Sequence, residues 1–358
     1  MIVDLKVPKA NATKPDVSHG TNLIQAIFDS TREALFRPKI VIALSQYLNE
    51  SIKNSLQTYP ICIIPYTPDG SWKTLLINRL SYYNRRSCDI AIITAVDVEF
   101  DAVKNWGWQD GNDIPNFTYY SKDIKNCDGK TLKVILVKLK DMGMVCATNT
   151  TDKIIHYFEP KCVIMTGICA GRKNAVSLGD IVVASQAWDY GSGSIEEAPK
   201  LRNGKEIVFC PAPNYISMKA NPTNVFDWYT PEKISILKGK LLEDAKERLD
   251  GKLIDIISSE QKRETKVYQK TMATGAAVIK AEQFTNKFIK EQNRKYIGID
   301  METYGVYYAT EHSGIKEFFA VKSVSDLADT EKNDVFQSYC AKLSAAVALH
   351  FIINKYVG

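Results

Sequence analysis

Asp326 closes the apolar run Phe318-Phe319-Ala320-Val321-Lys322-Ser323-Val324-Ser325-Asp326, and Glu302 stands 24 residues earlier in Asp300-Met301-Glu302-Thr303-Tyr304-Gly305. One carboxylate at a strand end and one opening a helix fall where α/β sheets bind small molecules, outside the carboxyl ends of their strands. Two acids in different surroundings can divide the work, one giving up a proton while the other holds a ligand. The chemistry suggested is acid catalysis on a small polar substrate.

Hydrophobic patterning gives the elements that must position these acids. Apolar runs predict strands at Ile90–Ala95, Thr131–Lys138, Cys162–Thr166, Asp180–Ser185 and Phe318–Ser323. Helical periodicity falls at Glu99–Asn105, Cys146–Phe158, Pro231–Asp250, Thr303–His312 and Val335–Tyr356. The expected fold class is α/β with a mixed sheet. Residues 191–232, rich in Gly, Pro, Asn and Ser, read as a long irregular surface excursion. Ahead of this unit, strands at Met1–Val7, Lys39–Leu44 and Ile61–Pro65 alternate with helices centred on Asn22–Leu35, Leu48–Leu56 and Trp72–Tyr83, which implies a small parallel sheet. Asn84-Arg85-Arg86-Ser87 is the natural boundary, giving domains of 1–86 and 87–358.

Composition narrows the function classes. A chain of 358 residues, 45% hydrophobic, has room for two packed domains. Lysine and arginine exceed the acids by 46 to 41, a scattered excess that argues against nucleic-acid binding and is compatible with an anionic substrate. The eight cysteines form no C-x-x-C pair, which fits a reducing cytoplasm. His19, His156, His312 and His350 are far apart, so neither a metal site nor a serine-histidine triad is expected, and no cofactor is implied. No apolar stretch has the length of a membrane span and Met1–Lys6 lacks a signal-peptide pattern, so a cytoplasmic protein with no membrane partner is expected.

In chain order, Ala95-Val96-Asp97-Val98-Glu99, Thr166-Gly167-Ile168-Cys169-Ala170-Gly171-Arg172 and the Glu302 and Asp326 segments resemble the nucleoside phosphorylase and nucleosidase superfamily. Within it the methylthioadenosine/S-adenosylhomocysteine nucleosidases are most similar, over roughly residues 88–357. The resemblance implies a phosphorylase-type three-layer fold with a mixed central sheet, and cleavage of a purine N-glycosidic bond. That cleavage builds positive charge on the sugar and negative charge on the departing base, so it calls for a proton donor at the base and a carboxylate for water. By resemblance Asp326 protonates purine N7, Glu99 positions the attacking water and Glu302 grips the ribose hydroxyls beside Met301. It also places Ala95, Ile168, Cys169, Gly171, Val278, Ile279, Lys280 and Ser325 around the substrate.

Each acid has a plainer explanation as well. Ser325-Asp326 can end a strand and cap a turn, and Glu302 and Glu99 can favour helix amino ends by their charge. Three acids in family order tip the balance toward a site. Phosphorylases of the superfamily hold phosphate with arginines, one of them two residues before the glycine of Thr166-Gly167, where this chain has Met165. A thioether cannot pair with phosphate as guanidinium does, which favours water as nucleophile.

The base is expected against Val278 and Ile279 in Thr274-Gly275-Ala276-Ala277-Val278-Ile279-Lys280. Ala276 and Val278 replace an acid and an aromatic ring of the family pattern. Arg172, Lys173 and Lys280 are candidates to meet 5'-phosphates, whereas a thioether substrate would want an apolar pocket. With Trp188-Asp189-Tyr190-Gly191-Ser192-Gly193, the chain looks like the signalling-linked branch, some members of which act as nucleotide-degrading effectors in antiphage defence. Relatives commonly assemble as homo-oligomers.

The front unit resembles part of a response-regulator receiver domain, with a flavodoxin-like α/β fold truncated at its start. Asp4 matches the phosphoacceptor, Ser45 the hydroxyl residue of the next strand and Pro65 the proline of the last, while Ile64 replaces a lysine. The expectation is a regulatory unit, phosphorylated at Asp4 in the extreme case, that docks a signalling partner or protomer. Three readings stand: a purine nucleosidase acting on a nucleoside or an ATP-like nucleotide, a phosphate-dependent phosphorylase, and a non-catalytic nucleotide sensor.

Overall fold

The structure is a computed structural model that describes residues 2–4, 17–29, 41–45, 50–56, 59, 61–83, 86–111, 113–199, 205–220, 230–329, 336–354 and 356. The chain divides into two compact units, Met1–Arg85 and Arg86–Gly358.

In the first unit, β1 (Ile2–Asp4), β2 (Val41–Ser45) and β3 (Ile61–Pro65) pair in parallel in that order and alternate with α1 (Val17–Asp29), α2 (Glu50–Leu56) and α3 (Ser71–Tyr83). Val41, Ala43, Leu56 and Ile24 form its small core, and Ile64 is buried as well. The predicted extension of β1 to Val7, of α1 to Leu35 and of α2 back to Leu48 lies outside the described residues, as does the side chain of Asp4.

In the second unit the elements run β4 (Ile90–Thr94), α4 (Asp97–Lys104), β5 (Gln109–Gly111), β6 (Tyr119–Lys125), β7 (Thr131–Lys138), α5 (Met144–Phe158), β8 (Cys162–Gly171) and β9 (Ile181–Asp189). Next come β10 (Gly193–Pro199), β11 (Lys205–Pro211), β12 (Tyr215–Ser217), α6 (Pro231–Glu247), α7 (Gly251–Gln261) and β13 (Val267–Thr274). A helix α8 follows in three stretches, Glu282–Phe284, a π-helical Thr285–Ile289 and Lys290–Gln292; then β14 (Gly298–Asp300), α9 (Thr303–His312), β15 (Glu317–Asp326) and α10 (Gln337–Asn354).

Ten of the described strands make one mixed sheet. Five of them close a ring: β8 pairs with β15 and β14, β9 pairs with β15 and β13, and β13 pairs with β14. β8 also pairs with β4 and so joins the ring to the open wing of β7, β6 and β5. The largely apolar sequences of β4, β8 and β15 are what burial on both faces requires. One face packs against α4, α6, α7 and α10 through Ile92, Ile164, Phe319 and Phe351, and the other against α5 and α9 through Ile93, Val163, Phe318 and Tyr307. This is the expected α/β architecture with a mixed sheet between helical layers.

The reading of residues 191–232 as irregular needs correction. β10 and β11 form an antiparallel ribbon in which Gly193 faces Pro211, and β12 adds an edge to β9. Gly193 is needed there, because a Cβ would lie 2.3 Å from the carbonyl oxygen of Cys210. The predicted helix 231–250 ends at Glu247, and Asp250 caps a separate helix, its carboxylate accepting from the Leu253 N–H at 3.1 Å.

Candidate active site

The carboxyl ends of β4, β8 and β15 and the start of α9 surround a cavity of about 440 Å³. Asp326 reaches it through a bulge. Val324 faces Cys169 and Asp326 faces the very next residue, Ala170, so Ser325 is the extra residue on its strand. Strict alternation would send neighbours to opposite faces, whereas the bulge lets Ser325 and Asp326 both line the cavity. The Asp326 carboxylate accepts from the Ala328 N–H at 3.0 Å and from the Ser325 hydroxyl at 3.3 Å. The turn-capping role is thus present alongside the exposure to the cleft.

Glu99 sits in the first turn of α4 and is 2% exposed. One oxygen accepts from the Ala95 N–H at 2.6 Å and the Val96 N–H at 3.3 Å, so it caps its own helix. The other accepts from the Ile168 N–H of β8 at 2.7 Å, which ties two walls of the cleft together. The contact needs glycine at 167, since a Cβ there would fall 1.9 Å from that same oxygen.

Glu302 is the N-cap residue of α9, but its carboxylate does not cap that helix. It accepts instead from the N–H of Gly143, the N-cap of α5, at 2.9 Å. Burial pushes its pKa up to about 7; the neighbouring carboxylates Asp300 and Glu99 act in the same direction, while Lys322 and the Gly143 N–H oppose them. Asp300 is itself held by the Thr274 hydroxyl at 2.9 Å and the Thr303 N–H at 3.1 Å.

Lys322 completes the group and escapes sequence reasoning. Within an apolar strand a lysine reads as a residue snorkelling to solvent, yet here it is 0% exposed, its Nζ 3.6 Å from both Glu99 Oε1 and Asp300 Oδ2. Among the described residues that Nζ has no hydrogen-bond partner. Burial works against its charge, and the carboxylates Glu99, Asp300 and Glu302 outweigh it, so the pKa is raised. The signal available in the sequence was a lone cation in a run otherwise built for burial.

Of the residues expected around a substrate, Ala95, Ile168, Cys169, Val278, Ile279, Met301 and Ser325 line the cavity with the three acids. Gly171 and Lys280 do not; Gly171 packs against Val176 and Val324, and Lys280 is exposed. The other candidate cations are engaged elsewhere. Arg172 donates to the Arg294 carbonyl at 2.7 Å, and Lys173 pairs with Glu282 and Asp329 at 3.2 Å each. No lysine or arginine is among the described lining residues, and Met165 is fully buried in the core. Met142, Ala277, Asp300 and Gln337 are lining residues to which the sequence reading assigned no role. Among the described residues no cluster of His, Cys, Asp and Glu could hold a metal, and no helix is long and apolar enough to cross a membrane.

The family model described as Phosphorylase superfamily matches residues 89–353. An uncharacterized protein y4jS of Sinorhizobium fredii is 28% identical over 98% of this chain and 86% of its own length. ATP nucleosidase Cap17 of Escherichia coli is 24% identical over 75% of this chain, which spans about half, 52%, of that relative. Among solved structures, futalosine hydrolase of Helicobacter pylori superposes with a TM-score of 0.50 at 17% identity, covering 74% of this chain and 97% of that one. A mutant of Helicobacter pylori MTAN with 5'-methylthioadenosine in the active site gives 0.51 at 15%, covering 74% and 98%. At these identities the two structures speak for the fold alone.

Proposed function

We propose that this chain, which belongs to the phosphorylase superfamily, hydrolyses the N-glycosidic bond of a purine nucleoside or nucleotide and releases the free base. The observation that carries the proposal is one cleft lined by Asp326, Glu302 and Glu99 and by no described lysine or arginine. Such a cleft suits water better than phosphate as the nucleophile, because an anion there would meet carboxylates and no lining guanidinium. Similarity to an ATP nucleosidase and, over a shorter stretch, to 5'-methylthioadenosine/S-adenosylhomocysteine nucleosidases supports the same reading.

The roles proposed are those the resemblance implies, and the place of each acid in the cleft supports them. Asp326, at the β15 bulge beside Ser325, gives its proton to N7 as the C1'–N9 bond breaks, so the purine leaves neutral. Water forms the new bond to C1' and passes a proton to Glu99, whose carboxylate the Ala95 and Ile168 amides hold in place. Glu302 accepts from the sugar hydroxyls, and those hydrogen bonds favour its charged form against the burial that opposes it. Lys322, buried among the carboxylates, offsets their mutual repulsion. Val278 and Ile279 offer the base an aliphatic wall.

Residues 1–86 form a regulatory unit that gates this site, and the protein works in the cytoplasm as a homo-oligomer. Deletion of residues 1–86 should then alter assembly or rate. The decisive assay incubates the full chain with purine nucleosides and nucleotides, with and without phosphate, and follows free base by chromatography. Base release independent of phosphate is the expected result. Strict phosphate dependence would make it a phosphorylase, and binding without release from any substrate would make it a sensor.

A further inference from the structure

Three segments that wall the cleft leave it and meet at one cation. Ile168, Cys169 and Ala170 line the cavity and lead to Lys173; Ala277, Val278 and Ile279 lead to Glu282; Ser325 and Asp326 lead to Asp329. The Lys173 ammonium lies 3.2 Å from both the Glu282 and Asp329 carboxylates, and the Asp329 side chain is only 11% exposed. Between Asp326 and Asp329 the backbone is strained. Ala328 has φ +53°, in the left-handed region that residues with a Cβ avoid, while its N–H holds the Asp326 carboxylate at 3.0 Å.

A conformation of this kind persists only where its surroundings over-determine it. Here the loop is held at one end by the β15 ladder and at the other by the pair between Asp329 and Lys173. We infer that Lys173 is a positioning residue, which through Asp329 keeps the Asp326–Asp329 turn in its strained form and so aims the Asp326 carboxylate into the cleft. The inference rests on Asp326 acting as the acid. It assigns Lys173 no contact with substrate, unlike its place among the candidate cations for a 5'-phosphate.

The test uses the full chain and the substrate that releases base fastest. K173M and D329N should each lower kcat roughly tenfold to a hundredfold, the order expected for a misplacement of about 1 Å, with KM changed by less than about threefold. The double variant should lose less than the two single losses combined, because both break the tie between Lys173 and Asp329. K173R should retain activity. A328G added to K173M should recover part of kcat, since glycine holds a positive φ without the tie. Wild-type kcat in K173M and D329N, or a loss confined to KM, would overturn the inference in favour of a surface pair or a phosphate contact. Additive losses, or no recovery with A328G, would equally overturn it. If the wild-type chain releases no base, the hydrolase reading fails instead, so the two failures are distinguishable.

Discussion

Replacing Glu302 with glutamine should make the protein more stable and less active, and the gain should depend on pH in a definite direction. Burial and two neighbouring carboxylates move the Glu302 pKa from the ordinary 4.5 to about 7. The folded chain therefore binds this proton more tightly than the unfolded chain does. Stability attached to the group is full below pH 4.5 and is lost as pH rises through about 7. At about 1.4 kcal/mol per pKa unit the charged form costs the native state about 3 kcal/mol near pH 8 and under about 1 kcal/mol near pH 5. Glutamine matches the neutral form in shape and can still accept from the Gly143 N–H. The E302Q melting temperature should rise by roughly 5–10 °C at pH 8, with most of the gain gone at pH 5. Calorimetry at the two pH values reads the difference, and base release should fall because the amide binds sugar hydroxyls without a charge. A gain of equal size at both pH values, or a loss at pH 8, would refute the argument from burial.

Further outcomes follow from the same geometry. D326N should lose most of its turnover while keeping substrate affinity, which single-turnover base release and equilibrium binding would separate. G167A should lower activity by roughly a hundredfold or more and destabilise the fold by several kcal/mol, on the order of 3, because the new methyl falls 1.9 Å from a Glu99 oxygen and displaces the carboxylate from its amide donors. K322M should destabilise the fold by about 3–5 kcal/mol in denaturant titration at neutral pH, leaving buried carboxylates without their cation.

The sequence made the frame of the site legible where burial writes a simple pattern. β4, β8 and β15 are largely apolar runs, and α9 spans Thr303–His312 as its periodicity predicts. β13 escaped because Tyr268-Gln269-Lys270-Thr271 breaks the apolar pattern at its register shift, and β14 is three residues long and readable only through its partners. The β10–β11 ribbon carries Glu, Lys and Pro on an exposed pair of strands, a composition that reads as loop. Within the site, the acids could be named because their motifs are local. Lys322 could not, since its value lies in Glu99 and Asp300, which come from distant segments. The receiver-like reading of the front unit has three parallel strands and Ser45 at the end of β2 beside it, and the Asp4 side chain lies outside the described residues.

The closed ring of strands also bears on how the protein is made. β8 must pair with β15, so that Cys162 meets Glu317, and the ring closes only after β9, β13 and β14 are in place. Contacts so distant along the chain come at a large loop-closure entropy and slow the search for the native state. Asp326 stands on the last of the described strands in chain order, and its bulge exists only once that strand lies on β8. The chain can therefore fold its β4–β7 wing, Glu99 included, early and still lack Asp326 in the cleft. Activity should return on refolding as a late event, after most of the helical signal has recovered.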